Sequence, residues 1–133
     1  MNFIKIVEHH AMVSVDADAI LVLLDAETGK DRSGTIANWP DIGQLIEMMA
    51  LKKELIPTKL FWIEVESKYV ICIVREIENG EPASLDELIR VIDSLEIKSI
   101  NMPNDTSLIG LLMQCQEVLD KKDIVFSACG PRV

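Results

Sequence analysis

The sequence is poor in the features that announce chemistry or a membrane. The run Ala19 to Leu24 is its longest apolar stretch near the start. That is far short of the ~20 residues a spanning helix needs, and short even for a signal core. Lys5, Glu8, Asp16 and Asp18 interrupt everything before it, so the expected localisation is cytoplasmic. Cysteine is scarce: Cys72, Cys115 and Cys129 are an odd count without pairing or metal-site spacing, as expected of a reducing compartment. Histidine is limited to His9 and His10, and aromatics to 5% of residues. There is no nucleophile elbow, no dinucleotide fingerprint and no zinc-hydrolase helix. Basic residues are also in the minority. Thirteen Lys and Arg stand against 22 Asp and Glu, for a net charge of −9. Such a charge repels phosphate backbones and anionic headgroups, so neither nucleic acid nor a membrane surface is an expected partner.

What is present suits one ordinary domain spanning 1–133. The chain has 133 residues, of which 49% are hydrophobic and 26% charged, enough for a core without disulfide or metal staples. Phe3 to Val7 alternates as a strand does. Ala19 to Leu24 reads as a buried central strand. The polar, glycine-bearing stretch Asp25 to Gly34 then suggests a hairpin, with Thr35 to Ala37 as a short returning strand. Asn38, Pro40 and Asp41 have the order of a helix start, with cap, early proline and early acid. The apolar residues Ile42, Leu45, Ile46 and Met49 follow at helical spacing, widened by Met48, Leu51 and Leu55, up to Pro57. Leu60 to Val65 and Tyr69 to Ile77 read as two strands. Glu78 to Pro82 reads as a turn, and Ser84 with Glu87 as a capping box before Leu85, Leu88, Ile92 and Leu95. Ile97 to Met102 is a strand, Pro103 to Lys122 a third helix, and Ile124 to Ser127 a last strand. The expected fold is α/β, bordering on α+β: a mixed sheet of about five to six strands with about three helices. A strand–hairpin–helix half (1–57) precedes a ββαβαβ half (58–133).

The candidate sites are few. Gly29 to Thr35 has the glycine spacing of a phosphate loop, but Thr35 stands where the lysine must be, so it reads as a turn. Asp25, Glu27 and Asp31 alternate as calcium ligands do. The glycine falls one place early, however, and Ile36 occupies the position of the bidentate acid. His9 and His10 are adjacent on a strand and point to opposite faces. Even with Asp16 or Asp18 nearby they read as solvated residues. No metal, no cofactor and no catalytic residues are therefore expected. Cys72 and Cys115 read as small hydrophobes, leaving Cys129 as the one thiol placed to react. Glu64 and Glu66 share a strand face. Trp62 lies opposite Phe61, Ile63 and Val65, where it is partly exposed and suited to anchor a partner.

Asn104 to Val133, with its Asp-Thr-Ser helix start, apolar helix, strand and proline, resembles the latter part of a STAS domain. That resemblance implies a phosphorylatable regulator with Thr106 or Ser107 as acceptor. Residues 69–128 are similar in pattern to the periplasmic domain of biopolymer-transport proteins, which carry a membrane anchor. From charge and size, the leading expectation is an acidic, non-enzymatic binding protein of the inhibitor or immunity type. It would mask a basic surface on a protein partner through Trp62, Glu64, Glu66, Asp25, Glu27 and Asp31. The alternatives are the STAS-like regulator and an oligomeric module, a homodimer included.

Overall fold

The computed structural model describes residues 3–31, 33–57, 59–75 and 85–131. The expected turn at Glu78 to Pro82 and the cap at Ser84 lie outside them. Six strands form one mixed sheet: β1 (Ile4–Val7), β2 (Ala19–Asp25), β3 (Leu60–Val65), β4 (Lys68–Arg75), β5 (Ser99–Pro103) and β6 (Val125–Cys129). Their spatial order is β1-β6-β5-β2-β4-β3. All neighbours are parallel except β3, which returns antiparallel on β4 through the two-residue turn Glu66-Ser67. Both turn residues have positive φ, 50° and 68°, as a type I′ hairpin requires. Glu66 therefore belongs to the turn and does not share a strand face with Glu64.

The burial of each strand follows its place in the sheet. Ala19 to Leu24 is buried on both faces, because helices cover both sides of β2. Residues 20, 22 and 24 pack with Val70, Cys72 and Val74 beneath α1 (Pro40–Leu51), through Ile42 and Ile46. Residues 19, 21 and 23 join Ile71, Ile73, Ile100 and Met102 on the opposite face. There they meet Leu85, Leu88 and Ile92 of α2 (Leu85–Ser94), Leu108 and Leu112 of α3 (Thr106–Gln114) and Leu119 of α4 (Gln116–Lys121). The molecule is thus a helix–sheet–helix sandwich, an α/β fold.

Four local expectations are corrected. Thr35 to Ala37 is not a strand but part of a 3-10 turn, Thr35–Asn38. The hairpin expected there shrinks to a single bridge between Leu24 and Asp31. Asn38 does not cap α1: its side-chain amide donates to the Thr35 carbonyl at 2.9 Å, and the helix starts at Pro40. The third helix is two, broken at Cys115, whose N–H reaches back to the Leu112 carbonyl. That i→i+3 contact tightens the end of α3 and turns the chain into α4. Finally, the apolar face of α1 is wider than the sheet beneath it. Leu45, Met48 and Leu51 stay exposed while Ile42 and Ile46 are buried.

Candidate functional site

Chain direction alone locates a crevice. After β2 the chain crosses to α1 on one face of the sheet, and after β5 it crosses to α3 on the other. β2 and β5 are neighbours, so their carboxyl ends form a topological switch point, the place where open parallel sheets bind ligands. A cleft of about 490 Å³ lies there, within the usual size range for small-molecule sites. It is walled by the ends of three parallel strands and the segments that follow them. These are Glu8 to Met12 after β1, Pro103 to Asp105 after β5, and Cys129 to Pro131 after β6; Asp31, Ser33, Gly34 and Thr35 come from the loop beyond β2.

Each wall is shaped by identifiable hydrogen bonds. The Asp31 carboxylate accepts from the Ser33 N–H (3.0 Å), the Ser33 hydroxyl (2.6 Å) and the Ile36 N–H (3.1 Å). This folds the 31–36 loop on itself. Gly34 sits at φ 71°, with nothing within 4 Å of where a Cβ would stand. Asp25 makes an equivalent turn at the end of β2, accepting from the Glu27 and Thr28 N–H groups and the Thr28 hydroxyl. On the opposite wall Asp105 caps α3, accepting from the Leu108 N–H at 3.0 Å. Buried Asn101 donates to the Met12 and Val15 carbonyls, at 2.8 and 2.6 Å, and so ties the 3-10 turn Met12–Ser14 to β5. Asn104 is 1% exposed, and its amide donates to the Gly130 carbonyl at 3.2 Å. Its Oδ1 is buried without a partner, a state that costs about 1–3 kcal/mol while the atom stays unmatched.

The sequence-proposed residues scatter around this cleft. Asp31 lines it, but its oxygens serve the loop; Asp25 is likewise engaged at the end of β2, and Glu27 lies exposed in the same turn. Trp62 and Glu64 are on edge strand β3, two strands away from β2, and Glu66 is at the opposite end of the sheet. Trp62 is 43% exposed and packs edge-on against Tyr69, as its strand position suggests. Thr106 and Ser107 open α3 beside the cleft, both exposed. His9 and His10 are exposed on its rim. Asp18 cannot join them, because it precedes β2 and its carboxylate accepts from the Lys98 N–H. It is roughly 20 Å of strand from the crest. Among the described residues no group of three or more His, Cys, Asp or Glu is placed to hold a metal ion.

Cys129 also departs from expectation. It lies against the cleft but is buried, and its thiol donates to the Ser127 carbonyl at 3.4 Å. Burial pushes the thiol up, against a smaller lowering by a backbone hydrogen bond at Met102, so the thiolate a nucleophile needs is disfavoured. Cys72, enclosed beneath α1, is pushed up to about 12 by burial and by the charge of Asp31.

Two solved structures share this architecture across nearly the whole chain. One is the macrodomain of Mycobacterium tuberculosis DarG, with a TM-score of 0.71 and 17% identity. It covers 97% of this chain and 99% of its own. The other is the macrodomain of Thermus aquaticus DarG, at 0.69 and 14%, covering 96% and 97%. The fold is that of a macrodomain. No protein-family model and no curated protein matches the sequence. The macrodomain fold overturns the reading of an acidic inhibitor or immunity protein, and with it the STAS-like alternative. That reading rested on net charge, which bears on solubility and association but not on fold. The cleft itself went unread in the sequence. The signal for it is Gly29 to Thr35, a glycine-bearing turn that follows a central parallel strand.

Proposed function

We propose that this chain is a macrodomain-type ligand-binding module that takes an ADP-ribose-class ligand in the crest cleft. The observation that carries this is the position of the cleft: a ligand-sized hollow at the β2/β5 switch point of a fold in which ADP-ribose is bound or hydrolysed. We propose further that it binds without turnover. Its one cleft thiol is held protonated by burial, and its two histidines lie on the exposed rim, which does not favour a nucleophile paired with a base. The free cysteines suit a cytoplasmic setting.

Thermal unfolding and calorimetry with ADP-ribose test the binding. Saturating ligand at 100 times Kd is expected to add about 2.7 kcal/mol of stability. Ala11→Trp, which fills the cleft from an exposed position on its wall, is expected to abolish that gain while leaving the far-UV circular dichroism unchanged. No stabilisation of the parent protein by ADP-ribose sinks the proposal. Recovery of intact ADP-ribose and of an intact ADP-ribosylated peptide after long incubation, read by mass spectrometry, is the expected sign of binding without hydrolysis.

A further inference from the structure

We propose that the open edge of β3, together with the flank of α1 above it, docks a second copy of this chain about a two-fold axis perpendicular to the sheet. The inference does not depend on what the crest cleft binds.

The two edges of the sheet are unlike. β1 has four residues and carries Lys5, a short and charged edge of the kind that discourages pairing. β3, the last strand on the other side among the described residues, has six, LFWIEV. Glu64 is its one charge, and its register with β4 runs without proline or bulge. That register also shows which backbone groups are open. The Lys59 carbonyl accepts from the Val74 N–H at 3.1 Å, and such groups alternate in direction along a strand. Phe61, Ile63 and Val65 therefore turn theirs to β4, while Leu60, Trp62 and Glu64 turn N–H and C=O to the open edge. Trp62, in the middle of that edge, also has an exposed side chain of the type that anchors interfaces.

The flank of α1 above this edge matches itself when reversed. The loop after β2 holds one side of the helix, with Gly29 against Ile46 and Ala50, and Ile36 against Gly43. That loop lines the cleft with the ends of β5 and β6. The opposite flank therefore faces β3, whose Phe61, Ile63 and Val65 pack into the same cluster as α1. It carries Asp41, Leu45, Met48 and Lys52, at spacings that keep to one helix face, and all four are exposed. A two-fold axis perpendicular to the sheet reverses the helix. Asp41 then meets the partner's Lys52 and Leu45 the partner's Met48, so the apolar centre is closed at both ends by an ion pair. Exposed ion pairs add little affinity but fix register. The same axis sets the two β3 edges antiparallel, with Trp62 opposite the partner's Trp62 and Leu60 opposite the partner's Glu64. The open N–H and C=O groups pair there, as in strand addition. An unrelated partner would not need a surface that complements itself under reversal, and this symmetry selects a second copy. The two clefts then open at opposite ends of the joined sheet, clear of the interface.

The test is the mass of the full chain in solution, by light scattering and sedimentation over a wide concentration range. Salt is held at ~0.15 M, where the repulsion between two net charges of −9 is screened beyond about 8 Å. A dimer is expected. Glu64→Pro removes an N–H that points to the open edge and no hydrogen bond within the chain, so a monomer with unchanged far-UV circular dichroism is expected. Asp41→Lys sets a lysine against the partner's Lys52 at two symmetry-related places, and is expected to raise the dimer dissociation constant about tenfold. Adding Lys52→Asp restores opposite charges and is expected to recover most of that loss. Hydrogen-bonded residues directly opposite across antiparallel strands have Cα atoms about 5.5 Å apart, within disulfide reach. Trp62→Cys is therefore expected to cross-link two copies under mild oxidation, and Glu64→Cys is not. A parent chain that stays monomeric at every concentration overturns the proposal. So does a dimer that survives Glu64→Pro, or a charge reversal that the second substitution fails to rescue. Should Glu64→Pro disturb folding, the cross-link decides: preferential linkage through Trp62→Cys supports the interface, and equal or absent linkage refutes it.

Discussion

At the scale of single residues, two asparagines three apart do different work because of what surrounds them. Asn101 is buried and matched: both amide hydrogens go to backbone carbonyls, of Met12 and Val15. Replacing it by leucine strands the buried Met12 carbonyl oxygen and the part-buried one of Val15, with an expected loss of about 2–4 kcal/mol in urea unfolding. Asn101→Asp is expected to be more damaging at neutral pH, because a carboxylate would then face two carbonyl oxygens. The folded pKa of that buried acid is raised above its unfolded value. The extra destabilisation is therefore absent below the unfolded pKa and grows as pH rises through the folded one. A variant equally unstable at pH 4 and pH 8 would argue against this account. Asn104 is its counterpart with one end unmatched. Neither role is visible in the sequence, where both residues sit in an undistinguished INMPND stretch.

At the scale of elements, the cleft depends on how the loop after β2 is pinned to α1. Gly29 has φ 72°, and a Cβ there would stand 2.9 Å from Ile46 Cγ2 and 3.3 Å from the Ile46 carbonyl oxygen. The left-handed conformation and the close approach both require glycine. Gly29→Ala is expected to destabilise by about 1–3 kcal/mol and to weaken ligand binding by loosening the 31–36 wall. Leu51→Ala, at a position 84% exposed, is the matched control and should change stability by no more than about 0.5 kcal/mol. Paired denaturation curves check both; a neutral Gly29→Ala would mean the loop finds another path. Most elements were legible: β2, β4, α1 and α2 are visible from apolar runs and periodicity. Those that failed, the strand at Thr35 to Ala37 and the unbroken third helix, failed because a turn and a kink are set by local hydrogen bonds that periodicity does not encode.

At the scale of the whole molecule, the net charge of −9 surrounds the cleft with a field that repels anions. An anionic ligand such as ADP-ribose should therefore bind more weakly at low salt. Screening shortens from ~30 Å at 0.01 M to ~8 Å at 0.15 M, so affinity is expected to rise over that range. The opposite trend would mean that local cations dominate the field at the cleft. Among the described residues no helix is long and apolar enough to cross a membrane.

By itself the sequence determined the α/β class, the central strands and the faces of the helices, because burial imposes periodicities of 2 and 3.6 that can be read one segment at a time. Only the tertiary structure decided where the cleft lies. It is made by the order of strands in the sheet and the side from which each connection leaves, and by bringing together segments near residues 8–13, 31–38, 103–105 and 129–131. Such long-range juxtapositions leave no local pattern in the sequence, so net charge, the most prominent compositional signal, pointed to the wrong function.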